Sequence, residues 1–354
     1  MTSPKRISLI KYSAVVLSCI TATVLKAAET PPTSLLALSK GEQSLSIVDP
    51  ATLTVVARVP AGPDPHEVIA SDDGKFAFIS NYGGGSYNTI TVVDLLAQKT
   101  LPIIDLGALR GPHGLAFVGG KLWFTAEGSK AVGSYDPATK QIDWILGTGQ
   151  DRTHMIFVFP SLNPIVTSNV NSATVTVIEK TDSFAGPPPS GPPPPGGAPR
   201  PTPRTNWTET VIPVGKGSEG FDVSPEGKEI WVANAQDGTI SVIDLAAKKV
   251  VQTLNANARG ANRLKFTADG KLVFVSTLGG PDLVVLDATT RKEVKRLPIG
   301  HGAAGILMQP DGQRAYVACT PDDYIVVLDL KSLTMTGKIT AGTHPDGLAW
   351  AVRK

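Results

Sequence analysis

Short apolar runs recur along the chain, and nearly every one stops at an acid. LSIVDP ends at Asp49, TVVDL at Asp94, GSYDP at Asp136, SVIDL at Asp244, VVLDA at Asp287 and VVLDL at Asp329, while VTVIEK puts Glu179 in the same role. The successive intervals are 45, 42, 43, 65, 43 and 42 residues. The long interval contains AGPPPSGPPPPGGAPRPTPR (185–204), and setting that stretch and a few flanking residues aside restores the period. A repeat of about 40–45 residues made of short β runs is the period of propeller blades.

Each unit reads as four strands, A to D from the axis outward. In the second unit they are HEVIAS, FAFISN, TITVVDL and TLPIIDL, with the alternation and β-branched enrichment of half-buried strands. SDDG (71–74), SPEG (224–227), TADG (267–270) and QPDG (309–312) supply A–B hairpin turns. The acid after each C strand suits an Asx turn. Seven C strands predict an all-β, single-domain fold over 35–352, a seven-bladed β-propeller of four-stranded blades. The first unit begins at its B strand, LLALS, and the chain ends on an unpartnered A strand, HPDGLAWAV. Joining the C-terminal strand to the first blade closes the ring and removes the open edges.

Other features refine this picture. Residues 1–28 read as a signal peptide: Lys5, Arg6 and Lys11 precede an apolar stretch from Ala14 to Leu25, and Ala27 and Ala28 suit cleavage. A periplasmic or secreted protein is expected, with no transmembrane segment after signal removal. VLSC is an imperfect lipobox, so a lipid anchor is the weaker expectation. Loss of Cys19 with the signal leaves Cys319 unpaired, as a buried thiol or a soft ligand. The net charge of +2 is spread without a basic block, so nucleic acid is not an expected partner. The Pro-rich segment 185–204 is expected to be a disordered, solvated insertion between strands C and D of the fourth blade, on the face away from the histidines. A monomer is expected.

The candidate chemistry gathers on one face. The residues opening the A strands are Asp346, His66, His113, His154, Glu219, Asn262 and Ala304, and those closing the B strands are Lys40, Asn81, Glu127, Asn169, Asn234, Thr277 and Cys319. All five histidines (His66, His113, His154, His301 and His344) fall in D-to-A connections, and three hold the same repeat position in consecutive blades. Imidazole is a common ligand for divalent transition ions, so His66, His113 and His154 with Glu219 form a candidate metal set. The competing reading is that Pro-His after Gly simply makes a turn, and no HxH or HExxH spacing supports a metal. Arg110, Arg152, Arg259 and Arg263 lie in or beside the same loops and suit a small anionic ligand, or else surface ion pairs. Asn81, Asn169 and Glu67 complete the candidate ligand-binding set. Glu67 and Arg263 stand where the equivalent positions hold Gly114, Gly220, Gly305 and Gly347, so they are expected to reach into the channel. Tyr82, Tyr87 and Tyr324 offer an aromatic wall. There is no CxxCH for covalent haem.

DGKFAFISN, EGKEIWVANAQDGTISVIDL and DGQRAYVACTPDDYIVVLDL resemble the YVTN-type repeat of bacterial exported β-propellers. These in turn are similar to lactonase-like propellers and to the propeller half of haem d1 nitrite reductases. The resemblance spans nearly all of 35–352 and implies the fold; it does not fix an activity. PHGLAFVGGKLWFTAEGSKAVGSYDP also resembles one blade of the streptogramin lyases. That resemblance implies His113 as an acid/base and Glu127 as a holder of Mg²⁺ in an elimination that opens a lactone. Resemblance to phosphogluconolactonase-like propellers implies Arg and His gripping an anionic sugar lactone without an obligatory metal. A non-covalent haem d1 would need a wide basic channel with His66 or His113 as axial ligand. The leading expectation is an exported binding module whose His/Arg-lined mouth takes a protein or small ligand. The alternative is a lactonase or metal-assisted lyase at the same mouth.

Overall fold

The computed structural model describes Met1, residues 28–183 and residues 204–354. The expected signal segment, apart from its two end residues, and the Pro-rich insertion, apart from Arg204, lie outside the described residues. The described strands form seven four-stranded antiparallel sheets arranged as blades. The third blade illustrates the unit. Its strands Pro112–Val118, Lys121–Ala126, Ala131–Asp136 and Gln141–Gly147 follow one another from the axis outward. Gly119 and Gly120 join the first two at φ +64° and +74°, the left-handed backbone that a two-residue hairpin requires. Ring closure takes the predicted form, with Pro345–Val352 pairing Thr33–Ser39 so that Trp350 faces Leu35.

Six of the seven C-strand acids act as turn residues. The Asp49 carboxylate accepts from the Ala51 N–H at 2.9 Å, Asp94 from Ala97 at 2.8 Å, Asp244 from Ala247 at 2.8 Å and Asp329 from Ser332 at 2.7 Å, and Asp136 and Asp287 do likewise. Glu179 instead pairs with Lys248. Its strand runs on, and Thr174–Ser183 pairs Arg204–Pro213 out to Ser183 opposite Arg204, so the Pro-rich segment joins the tip of an extended C–D hairpin.

The core lies between blades. Leu36, Leu38 and Ile47 pack on Val68, Ile79 and Val93 of the second blade, and Leu35 and Leu348 pack on Tyr316 and Ile325 across the closure. Burial of these apolar faces drives the ring together. At the axis the A strands crowd closely. A Cβ on Gly114 would sit 2.6 Å from His154 O, on Gly220 2.4 Å from Asn262 O, on Gly305 2.3 Å from Asp346 O and on Gly347 2.5 Å from His66 O. These four positions therefore admit only glycine without a shift of the neighbouring strand. No helix among the described residues is long and apolar enough to cross a membrane.

Candidate functional site at the channel mouth

The A strands detach from their B strands at a repeated place. Pairing shifts between Pro65 and Val68, Pro112 and Leu115, Thr153 and Ile156, Ser218 and Phe221, and Ala261 and Leu264. A bulge re-aims side chains, and here the second residue of each strand turns toward the axis. In four blades a B-strand hydroxyl satisfies the freed N–H: Ser80 Oγ accepts from Glu67, Thr125 Oγ1 from Gly114, Ser168 Oγ from Met155 and Ser276 Oγ from Arg263. Three of these hydroxyls donate onward to the next blade, Thr125 to His154 O at 2.7 Å, Ser168 to Glu219 O at 2.6 Å and Ser276 to Ala304 O at 2.8 Å. The ring of side chains is thus fixed blade to blade.

All seven ring residues line one cavity of about 570 Å³, joined by Lys40, Arg152, Arg263 and His344. On one side the His113 and His154 rings lie 3.9 Å apart between centroids, and His66 and Tyr82 each lie 5.1 Å from His113. His154 Nδ1 hydrogen-bonds Glu127 Oε1. Its Nε2 stands 2.9 Å from Glu219 Oε2, an ion-pair distance off the hydrogen-bond axis. Arg152 ties the two carboxylates together, with Nη1 3.1 Å from Glu219 and Nε 3.5 Å from Glu127. Tyr82 donates its hydroxyl to Glu127 Oε2 at 2.5 Å. On the other side Lys40 Nζ is 2.7 Å from His66 Nε2, 3.6 Å from Asp64 and 3.4 Å from Asp346.

These surroundings sort the three histidines. Burial drives His113 well below the ordinary imidazole range, and the neighbouring His154 and His66 add to it. Burial and the Lys40 ammonium hold His66 down at about 4, against the pull of Asp64. Burial also opposes charge on His154, but its contacts with Glu127 and Glu219 outweigh burial and raise its pKa. Burial would raise Glu219, yet His154 and Arg152 bring it to about 2. Tyr82 is pushed up to about 12 by burial and by Glu127.

Several expected site residues lie elsewhere. Asn81 and Asn169 do not line the cavity. They pair with the A-strand residues Pro65 and Thr153, and the residue at that register in the third blade is Ala126, so Glu127 belongs one step later with Lys40 and Tyr82. A one-residue step reverses the face in a strand. Asn81 accordingly donates to Thr89 and Thr91 inside its blade, and Asn169 to Thr174 and Thr176. Arg110 bonds Ser86 O on the outside, Arg259 is exposed, and neither lines the cavity. His301 is exposed beside Asp322. Cys319 is buried, its thiol reaches Ile299 O, and burial pushes it up to about 12, so it offers no soft ligand to the mouth. Of the expected metal set, the ligand atoms that cluster belong to His113 and His154 with Glu127, not to His66 and Glu219.

Glu67 and Arg263 do reach into the channel, and they meet. Arg263 Nη2 bonds Glu67 Oε1 across the axis, and Nη1 donates to Asn262 Oδ1 at 2.9 Å. Arg263 also borders a second, apolar chamber of about 350 Å³ lined by Leu115, Phe157, Phe221, Ile306 and Trp350. The pair therefore stands between the polar mouth and an apolar lower chamber. Asp64 was not legible as a site group, and for Lys40 and Tyr82 the sequence placed the residues at the mouth but not their partners, His66, Asp346 and Glu127, which come from other strands.

Comparison with known proteins adds the following. The Cytochrome D1 heme domain family matches residues 200–314. Antigen Lp49 of Leptospira interrogans is 27% identical over 94 residues, 27% of this chain, and the chain spans only 21% of that protein's length. A putative 6-phosphogluconolactonase from Bacteroides uniformis superposes with a TM-score of 0.67 at 15% identity, over 90% of this chain and 99% of that one. A dihydro-haem d1 dehydrogenase superposes with a TM-score of 0.60 at 15% identity, over 93% and 78%. The mouth does not fit a haem macrocycle. Its lining is mostly charged and polar, the His66 nitrogens face Lys40, the His154 nitrogens face two carboxylates, and His113 is packed between those rings. The family match reaches none of these three histidines. Blade count and ring closure make this chain a seven-bladed β-propeller, and its repeats resemble the YVTN type.

Proposed function

We propose that the chain is an exported binding module whose mouth takes a small anionic, hydroxyl-rich ligand of the sugar-acid class. The observation that carries this reading is the lining: Lys40, Arg152 and Asn262 face one cavity of about 570 Å³, with Leu278, Ala304 and Pro321 as its apolar wall. That volume suits a small molecule, for which pockets run about 300–1,000 Å³. A guanidinium has five donors, and the two carboxylates beside Arg152 use only part of them, leaving it able to grip a ligand carboxylate or phosphate. The phosphogluconolactonase named among the structural relatives supports the same ligand class. Isothermal titration with D-gluconate and 6-phosphogluconate tests it. Saturable binding that Arg152→Gln weakens at least tenfold is expected; no heat from either probe at millimolar concentration overturns the reading.

One observation favours a second reading, lactone hydrolysis or elimination. His113 and His154 are adjacent, and their surroundings push their pKa values in opposite directions. Two adjacent imidazoles whose pKa values are pushed apart divide the base and acid roles between them. Proton release from D-glucono-1,5-lactone, followed in a pH-stat, should then fall at least a hundredfold in His113→Asn, and equal rates with and without the protein would sink this reading.

A further inference from the structure

We propose that His113, His154 and Glu127 form a binding site for one divalent transition ion of the zinc class, open to the mouth. Each offers one ligand atom, these atoms lie within 4.8 Å of one another, and all three residues are buried. A second observation is independent of that clustering: His113 Nδ1 is buried and has no hydrogen-bond partner among the described residues. A buried imidazole nitrogen left unpaired costs free energy, and it is a lone pair or donor awaiting a partner.

The donor set decides the class of ion. Two imidazoles and one carboxylate form the three-ligand set that open zinc sites use, and hard ions such as Mg²⁺ prefer oxygen ligands. The surrounding contacts have the arrangement that orients metal ligands. Tyr82 holds Glu127 Oε2 at 2.5 Å, so Oε1 is the ligand atom, and the ion would take the place of the proton that Oε1 shares with His154 Nδ1. Glu219 Oε2 stands 2.9 Å from His154 Nε2, so Nδ1 is the nitrogen turned to the ion, and Arg152 braces both carboxylates. His113 and His154 line the cavity, so the remaining coordination position opens onto it. His66 is excluded, since the Lys40 ammonium lies 2.7 Å from one ring nitrogen and 3.2 Å from the other. The site is thus a three-ligand one, and it does not depend on the ligand reading above.

The test uses the purified protein, stripped with chelator, dialysed and titrated with Zn²⁺ alone against a chromogenic competitor. One equivalent should bind, at least a hundredfold more weakly in His113→Asn and in Glu127→Gln. Tyr82→Phe should weaken it by about 10- to 100-fold, as loss of an orienting contact does. His301→Ala, on the exposed loop with Asp322, should leave binding unchanged. Circular dichroism establishes that each variant is folded. A Co²⁺-loaded sample read by absorption gives a second view, with imidazole-ligated bands in the wild type that vanish in His113→Asn. Substoichiometric binding, or binding that survives in folded His113→Asn, overturns the proposal; loss in His301→Ala instead places the ion on the surface and overturns it equally.

Discussion

Removing the Glu67 carboxylate should be among the costliest single changes available at the axis. Arg263 is 8% exposed and its partner's side chain 15%, so the pair is held away from water. Burial opposes charge on Arg263, and the carboxylates of Glu67 and Asp346 more than offset that, so the guanidinium stays charged. In Glu67→Ala the charge stays buried with Asn262 and the more distant carboxylates of Asp346 and Glu219 as its remaining partners. Breaking a buried pair from one side costs about 3–5 kcal/mol. With about 2.1 cal/mol/K of unfolding entropy per residue over 354 residues, that is a fall in Tm of about 4–7 °C. Met155 occupies the same ring position in the fourth blade, which shows that a thioether fits at this radius. Glu67→Met/Arg263→Met should therefore recover most of the loss, because replacing both ions by apolar groups removes the desolvation penalty. Scanning calorimetry and urea unfolding of the wild type, Glu67→Ala and the double mutant test both expectations. A single-mutant loss under about 1 kcal/mol, or a double mutant no better than Glu67→Ala, would refute the argument that a desolvated ion pair spans the axis.

The pKa of His66 makes a pH prediction. Its folded value of about 4 lies below the ordinary 6.5, so the unfolded chain binds the proton more readily, and stability falls as pH drops from 6.5 toward 4. The full shift corresponds to at most about 3 kcal/mol, and His66→Gln should flatten the stability–pH curve by up to that amount over this window when followed by urea midpoints. Asn169→Ala should cost about 1–3 kcal/mol, by removing the amide that bonds the Thr153, Thr174 and Thr176 hydroxyls inside the blade, while leaving gluconate binding unchanged. A change in ligand affinity without a stability loss would put Asn169 at the mouth instead.

The fold was legible because its signals are local and repeated. The C-strand acids, the A–B turns and the unpartnered strand at 345–352 each state their role within a few residues. Glu67 and Arg263 could be singled out against the glycines of the other blades, but their meeting across the axis could not, since 196 residues separate them. The one-residue displacement of Glu127 relative to Asn81 was hidden for a different reason. B strands that are buried throughout show no alternation to fix which residue turns toward the channel, and the bulges that set the register carry no sequence mark. Histidine placement located the mouth, yet the sorting of its charges depends on Asp64 beside His66 and on Tyr82 and Lys40, whose partners Glu127 and His66 lie in neighbouring blades.

The central claim is that the mouth is an electrostatically sorted site, and its three histidines report on it directly. Histidine-¹⁵N-labelled, metal-free protein, titrated from acid to neutral pH and followed by long-range ¹H–¹⁵N correlation, gives the protonation state of each ring. The account predicts that His66 and His113 are neutral at neutral pH and that the His154 signals titrate at higher pH than the other two. Three rings titrating together near the ordinary imidazole value, or His113 charging before His154, would contradict it.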